Sequence, residues 1–266
     1  MKSTDNLQFR IGLFLLMVVL TGLLLSLLLN GVRIDLQLHH RLENSSSTFV
    51  LGTDELGRDL LSCIICGTGV SLLISLVVIL LTAVTGTAVG MAAGLSGGMT
   101  DTLLMRLTDF VLSFPGILLV IALVSFLGQG FFNLIIAFSC TGWAGTARMV
   151  RGIVLAQRQK EFILAARSYN ASPYRIAVHH LLPIAFPLVV VQATLGISAV
   201  IIAESSLNFL GLGLDPRIPT LGQLIDAGRG HLFDKPQLVI LPGVVLVLLI
   251  MAFHFLGEGM KGLRKE

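Results

Sequence analysis

Few residues in this chain have the type and spacing to do chemistry. Gly94-Leu-Ser-Gly97 sets Ser96 in a Gly-x-Ser-Gly context, and His254 lies on a later apolar run. A serine becomes a nucleophile only with a base in hydrogen-bond reach inside a water-accessible cavity. The pair therefore defines one reading, an intramembrane serine protease. Cys63-x-x-Cys66 and His39-His40 are the other reactive groupings. A lone Cys-x-x-Cys at the mouth of an apolar run, without a second pair, fits packing better than metal or thiol exchange. Cys140 has the same apolar setting and is expected to pack. Adjacent histidines point in different directions on any regular element and fit a solvated loop. No Gly-x-x-x-x-Gly-Lys-Ser/Thr occurs, so the chain has no P-loop to cradle a nucleotide. Glu204 and His254 are the ionisable groups nearest the apolar runs, and their scarcity argues against a self-sufficient proton-driven carrier. Glu204 and Asn208 are the candidates for lining a translocation path.

The elements that would hold these groups are membrane helices. The composition is 55% hydrophobic and 12% charged, with mean hydropathy +0.91, which no soluble domain shows. Several runs approach the roughly 20 apolar residues needed to cross about 30 Å of hydrocarbon. The expectation is an all-α polytopic membrane protein with six spans. Residues 1–10 form a tail, 11–29 the first span and 30–69 a polar loop. Residues 70–256 hold five more spans, at about 70–93, 110–127, 131–147, after Pro183 to Ala203, and 238–256, and 257–266 form a second tail. Gly86, Gly90 and Gly94 make a small-residue ladder along the second span. Leu51-Gly-Thr-Asp-Glu-Leu-Gly-Arg-Asp59 is too polar for lipid, and its charges can cap a helix or pair with one another.

One stretch, Arg148 to His180, is a polar island. It carries Arg148, Arg151, Arg158, Lys160, Arg167 and Arg175, six of the eighteen Lys+Arg, against the single acid Glu161. Phe162, Ala165, Ala166 and Tyr169 recur at helical spacing and predict a narrow apolar stripe. Asn170 suits the left-handed residue that ends a helix. Ser172 and Pro173 read as N-cap and first residue of the next one. With six spans, the side holding the termini and the island carries twelve Lys+Arg, and the other side carries six (Arg33, Arg41, Arg58, Arg217, Arg229 and Lys235). That bias places the termini and the island in the cytoplasm. Lys and Arg are not interleaved with aromatics, so no nucleic-acid partner is expected. A basic, amphipathic helix pair suits docking into a groove on another protein.

These residues carry a resemblance. Ala165-Ala166, three residues, Asn170, nine residues and His180-Leu-Leu-Pro183 resembles the Glu-Ala-Ala loop of ABC importer permeases, whose pattern is Glu-Ala-Ala, three residues, Gly, nine residues, Ile-x-Leu-Pro. Leu164 stands at the Glu position, Asn170 at the Gly and His180 at the Ile. The segment 51–59, Arg106-Leu-Thr-Asp109 with Phe114-Pro115, Thr141-Gly-Trp143, Ala147 to Arg151 and Phe209-Leu-Gly-Leu-Gly213 are similar to the peptide/nickel branch, in its dipeptide/oligopeptide C-type subunit.

The resemblance implies a type I importer permease in the bacterial plasma membrane, with a coupling helix within about 157–180. Arg158, Glu161, Leu164, Ala165, Ala166, Arg167, Asn170, Ala171, Ser172 and Pro173 would contact an ATPase. It implies a second, homologous permease as heterodimer partner, two ABC ATPase subunits that hold the ATP and Mg, and an extracytoplasmic binding protein. This chain would bind no cofactor and no metal and catalyse nothing. The cargo implied is di- or oligopeptides, with nickel or a metal chelate as the alternative.

Overall fold

The computed structural model describes residues 2–30 and 34–263, and these are helical apart from turns and one bridged pair, Thr53 with Asp59. In chain order the helices are α1 (Lys2–Asn30), α2 (Leu60–Ser96), α3 (Gly98–Leu112), α4 (Gly116–Leu127), α5 (Phe131–Gln157), α6 (Glu161–Ser168), α7 (Pro173–Ile176), α8 (Leu182–Phe209), α9 (Leu221–Gly228) and α10 (Gln237–Leu263). Among the described residues, three helical stretches are long and apolar enough to cross a membrane: Leu60–Ser96, Pro173–Phe209 and Gln237–Lys261. The pair α3 and α4 passes the same test only together, bent by 87° between them. The expected third span therefore does not begin at Phe110. Pro115 cannot donate to the helical ladder and disfavours α geometry before it, so α3 stops at Leu112 and α4 starts at Gly116. Arg33, Arg264 and Lys265, which entered the charge comparison, lie outside the described residues.

The helices also begin and end beyond the apolar runs. The second starts at Leu60 rather than about Val70, so Leu60–Gly69 is helix and not loop. Asp59 fixes this start by accepting the Ser62 backbone N–H at 2.9 Å, a side-chain N-cap. The extra turns are held because Leu60, Cys63 and Ile64 bury against Leu221 and Leu224 of α9 and Leu238 of α10. Next to the cap, Asp54 and Arg58 form a buried ion pair at 2.7 Å, and Arg58 also donates to the Pro216 carbonyl at 3.3 Å. Glu55 meets His231 at 2.9 Å. The acidic loop thus packs onto the connection between α8 and α10.

The glycine ladder finds its partner in α5. A Cβ on Gly86 would lie 2.6 Å from the Trp143 carbonyl oxygen, one on Gly90 2.5 Å from that of Ala147, and one on Gly94 2.6 Å from Val154 Cβ. Backbones this close gain contact that longer side chains would forbid. Gly90→Leu is expected to lower the amount of membrane-inserted subunit severalfold. Gly116→Ala, where an added Cβ meets nothing within 4 Å, leaves it unchanged, and quantitative immunoblotting of membranes checks both. Cys63 is buried in the cluster with Leu221, Leu224 and Leu238, whereas Cys140 is exposed on α5.

Candidate coupling site

The polar island folds as two short helices joined by a tight turn, wedged between α5 and α8. Arg158 closes α5, its N–H bonded to the Val154 carbonyl at 2.8 Å. Lys160 is extended and starts α6, with Glu161 in the first turn and Arg167 in the last. Both charges oppose the helix dipole in the stabilising sense. At the other end the Ala171 N–H reaches the Ala166 carbonyl at 3.0 Å and the Asn170 N–H reaches that of Arg167 at 2.9 Å. With Asn170 at φ 57°, this is a Schellman-type closure. Ser172 then caps α7, accepting the Arg175 N–H at 3.3 Å, and Pro173 occupies the first turn.

The two helices are locked to the bundle by one residue each. Ile163 of α6 and Ile176 of α7 are buried in a cluster with Met91 of α2, Val150 and Val154 of α5 and Leu181, Ala185 and Val189 at the start of α8. Ala166 and Ala171 pack at its edge. The buried face therefore centres on Ile163, not on the expected stripe. Phe162, Ala165 and Tyr169 are exposed, together with Leu164, Arg167, Asn170, Ser172 and Pro173. Tyr169 is 88% exposed and Tyr174 76%. Five consecutive apolar residues, Phe162 to Ala166, leave the choice of face open in sequence, and the chain's exit from α5 decides it.

The link to α8 has a special turn. Ala177–Leu181 is π-helical, with the Leu182 N–H bonded to the Ala177 carbonyl five residues back. Pro183 cannot donate to the His179 carbonyl and its ring crowds that oxygen, and the widened turn relieves the conflict. The His180 ring stacks on Phe162 of α6, centroids 6.5 Å apart and 14° from parallel. Sequence reasoning missed Ile163, Ile176 and this stack. The His180-Leu-Leu-Pro183 run was visible, but no spacing rule pairs it with Phe162.

Glu204 and Asn208 sit at the opposite end of α8 and face inward. The Glu204 side chain has 0% exposure. Its carboxylate accepts from Ser71 Oγ of α2 at 2.8 Å, Ser205 Oγ at 3.3 Å and Asn208 Nδ2 at 2.5 Å. Asn208 Oδ1 in turn accepts the Leu214 N–H at 2.8 Å. Gln129 Nε2, in the turn between α4 and α5, donates to the Gly211 carbonyl at 2.6 Å. The two side chains thus brace the connection after α8 against α2, instead of ending on the protomer's surface.

Comparison with known proteins gives this helix bundle and hairpin a family. Residues 86–261 match the binding-protein-dependent transport system inner membrane components. The chain belongs to that family. It is 35% identical to the glutathione transport system permease protein GsiD of Pectobacterium atrosepticum, over 82% of this chain and 73% of that one. It is 32% identical to the dipeptide transport system permease protein DppC of Alkalihalophilus pseudofirmus, over 84% and 73%. It is 41% identical to GsiD of Shigella flexneri, over 79% and 69%. The fold is like that in the inward-facing MetNI methionine ABC transporter, with TM-score 0.60 and 22% identity over 73% of this chain and 93% of that one.

As a permease of this family the chain is a membrane transport component and not an enzyme. Ser96 lies where α2 ends at Gly97, and His254 is exposed on α10 beside Phe255. His40 Nδ1 bonds Glu43 at 2.7 Å, and the described residues contain no group of three metal-ligating side chains. At the hairpin, a left-handed residue at 170 disfavours any β-branched side chain by about 1–2 kcal/mol. Asn170→Val is expected to loosen the turn and speed proteolysis between α6 and α7, whereas Asn170→Gly leaves it intact. Limited trypsin digestion at Arg167 and Arg175 reads the difference.

Proposed function

We propose that this permease is one of two different membrane subunits of an ATP-driven, binding-protein-dependent importer of small peptides. It crosses the bacterial plasma membrane six times, through α1, α2, α4 with the turn that precedes it, α5, α8 and α10, with both termini and the α6–α7 hairpin in the cytoplasm. The hairpin docks on one of two ABC ATPases, which bind the ATP and Mg. A second, homologous permease completes the pathway, and an extracytoplasmic binding protein delivers the cargo. The relatives' names, glutathione and dipeptide transport, support peptides as the cargo class, and nothing in the structure favours nickel or a metal chelate.

The observation that carries this reading is the division of the hairpin into two faces. Ile163 and Ile176 tie it rigidly to α2, α5 and α8, while Phe162, Leu164, Ala165, Arg167, Tyr169 and Tyr174 stand exposed. An exposed apolar-aromatic surface with a basic rim is the composition of a binding hot spot. Closure of the ATPases would push this surface. The push passes from α6 through Arg158 into α5, and from α7 through the π turn into α8. Both helices end, at the far side, where Gln129, Gly211 and the Glu204 network meet, so motion at the hairpin reaches the outer mouth without a flexible joint.

Reconstitution in liposomes tests the proposal. With the second permease, both ATPases and the binding protein, labelled dipeptide accumulates only when ATP is inside. Accumulation by this chain alone under a proton gradient would make it a secondary carrier and sink the reading.

A further inference from the structure

The helix α3 is unlike the others, because its three sides differ in kind. Asp101 and Thr108 face the bundle: Asp101 takes a bidentate pair from Arg151 at 2.5 and 2.7 Å, and Thr108 is fully buried. Leu103, Leu107 and Val111 follow at i, i+4 and i+8 along a second edge, with Leu103 69% and Leu107 52% exposed. Thr102, Arg106 and Asp109 follow at i, i+4 and i+7 along the third, all exposed. A helix crossing lipid needs no such polar edge, whereas a helix lying at the water–hydrocarbon boundary needs both edges.

The ion pairs fix its direction. Asp101 pairs with Arg151 and Asp109 with Arg148, the latter at 2.5 Å. At 1.5 Å rise per residue the two acids are about 12 Å apart along α3, while the two arginines are only about 4.5 Å apart along α5. Two helices running side by side would show equal spacings, so α3 crosses α5 at a wide angle. The 87° bend to α4 agrees. Depth agrees too. The twelve residues of α4 rise about 18 Å, and Ser113-Phe114-Pro115 adds up to about 10 Å, so the chain covers about 28 Å of the roughly 30 Å core before α3 begins.

We propose that α3 is an interfacial helix lying in the plane of the membrane, at the boundary of the leaflet on the hairpin side. Its Leu103–Leu107–Val111 edge rests on lipid acyl chains, its Thr102–Arg106–Asp109 edge faces water and headgroups, and Asp101 and Asp109 clamp it to α5. The occupant of its apolar edge is lipid. The clamp makes α3 an outrigger: any tilt of α5 driven through the hairpin must drag a lipid-embedded helix with it.

Nitroxide labels placed singly by Leu103→Cys, Leu107→Cys, Val111→Cys and Arg106→Cys test this in the full complex in lipid nanodiscs, with Cys140 and the partners' reactive thiols replaced. The power-saturation ratio of oxygen to a water-soluble nickel chelate gives each label's depth. The expected result is that the labels at 103, 107 and 111 share one shallow depth within about 3 Å, with the label at 106 on the aqueous side. A steady increase in depth, amounting to about 12 Å between 103 and 111 as for a spanning helix, overturns the proposal. Protection of these labels from both reagents would mean burial against the second permease and overturns it equally, as would aqueous exposure at all four.

Discussion

Leu164→Arg and Ala165→Trp are each expected to reduce ATP-driven peptide uptake at least about tenfold, with the subunit still inserted in normal amounts. Both side chains lie on the exposed face of α6 and neither belongs to the cluster that buries Ile163. The substitutions therefore act on the proposed docking surface and not on the fold. Disrupting a central apolar anchor of an interface costs about 2 kcal/mol or more, which sets the scale. The quantity to measure is ATP hydrolysed per peptide imported, alongside co-purification of the ATPases. Loss of docking appears as depleted ATPase in the purified complex. Loss of transmission with docking intact appears as hydrolysis that continues while uptake falls. Charge reversal, Arg167→Glu, acts on the rim of the same face and should weaken docking less. Ala166→Trp is a different experiment, because Ala166 packs against the Ile163 cluster and a large residue there also disturbs the hairpin's seat. Normal uptake with both Leu164→Arg and Ala165→Trp would remove α6 from the coupling surface.

What the sequence disclosed about this site, and what it withheld, follows from the range of the forces involved. The ends of α6 and α7 were legible because Asn170, Ser172 and Pro173 act on backbone groups within a few residues of themselves. The glycine ladder was legible for the same reason, since its meaning lies in the missing side chains at 86, 90 and 94. The side of α6 that turns inward depends on α2, α5 and α8 together, so the spacing of Phe162, Ala165, Ala166 and Tyr169 disclosed an apolar stripe but not that Ile163 is the residue buried. The start of α2 was placed late because the charged run before Leu60 and the glycines at 67 and 69 extend the apparent loop, whereas α9 and α10 bury Leu60, Cys63 and Ile64 and hold those turns as helix. The expected third span runs straight through Pro115; the bend of 87° there goes with the Asp109 and Asp101 pairs to α5, 39 and 50 residues away in the chain. Glu204 stood out in the sequence as an ionisable group in an apolar setting. Its partners are Ser71 and, through Asn208, Leu214, which no local pattern connects.

Those partners make Glu204 the second residue whose loss should be severe. Glu204→Leu removes the acceptor for Ser71 Oγ and Asn208 Nδ2 at a site with 0% exposure. Each stranded buried donor costs about 1–3 kcal/mol, and Asn208 would be free to turn away from the Leu214 N–H that it now holds. The connection carrying Gly211, which Gln129 also grips, then loses its anchor on α2. Uptake per inserted complex is expected to fall more than about tenfold, and the complex should aggregate at a lower temperature in detergent. Asn208→Asp fails for a different reason, since two carboxyl groups at hydrogen-bond distance cannot both be charged. The double variant Glu204→Gln with Asn208→Asp exchanges the acid and the amide between the two positions. It restores an amide donor facing a carboxylate and keeps an acceptor for Leu214, but it lacks the bond that Asn208 Nδ2 donates to the Glu204 backbone carbonyl at 3.0 Å, so it should recover part of the uptake that Asn208→Asp loses. A generic loss of packing would show no such recovery, because the double variant alters more atoms than either single one. If the double variant transports no better than Asn208→Asp alone, the pairing is not what the two residues contribute. If Glu204→Leu imports peptide at the normal rate, the network is not required for this end of α8 to move with the rest of the helix.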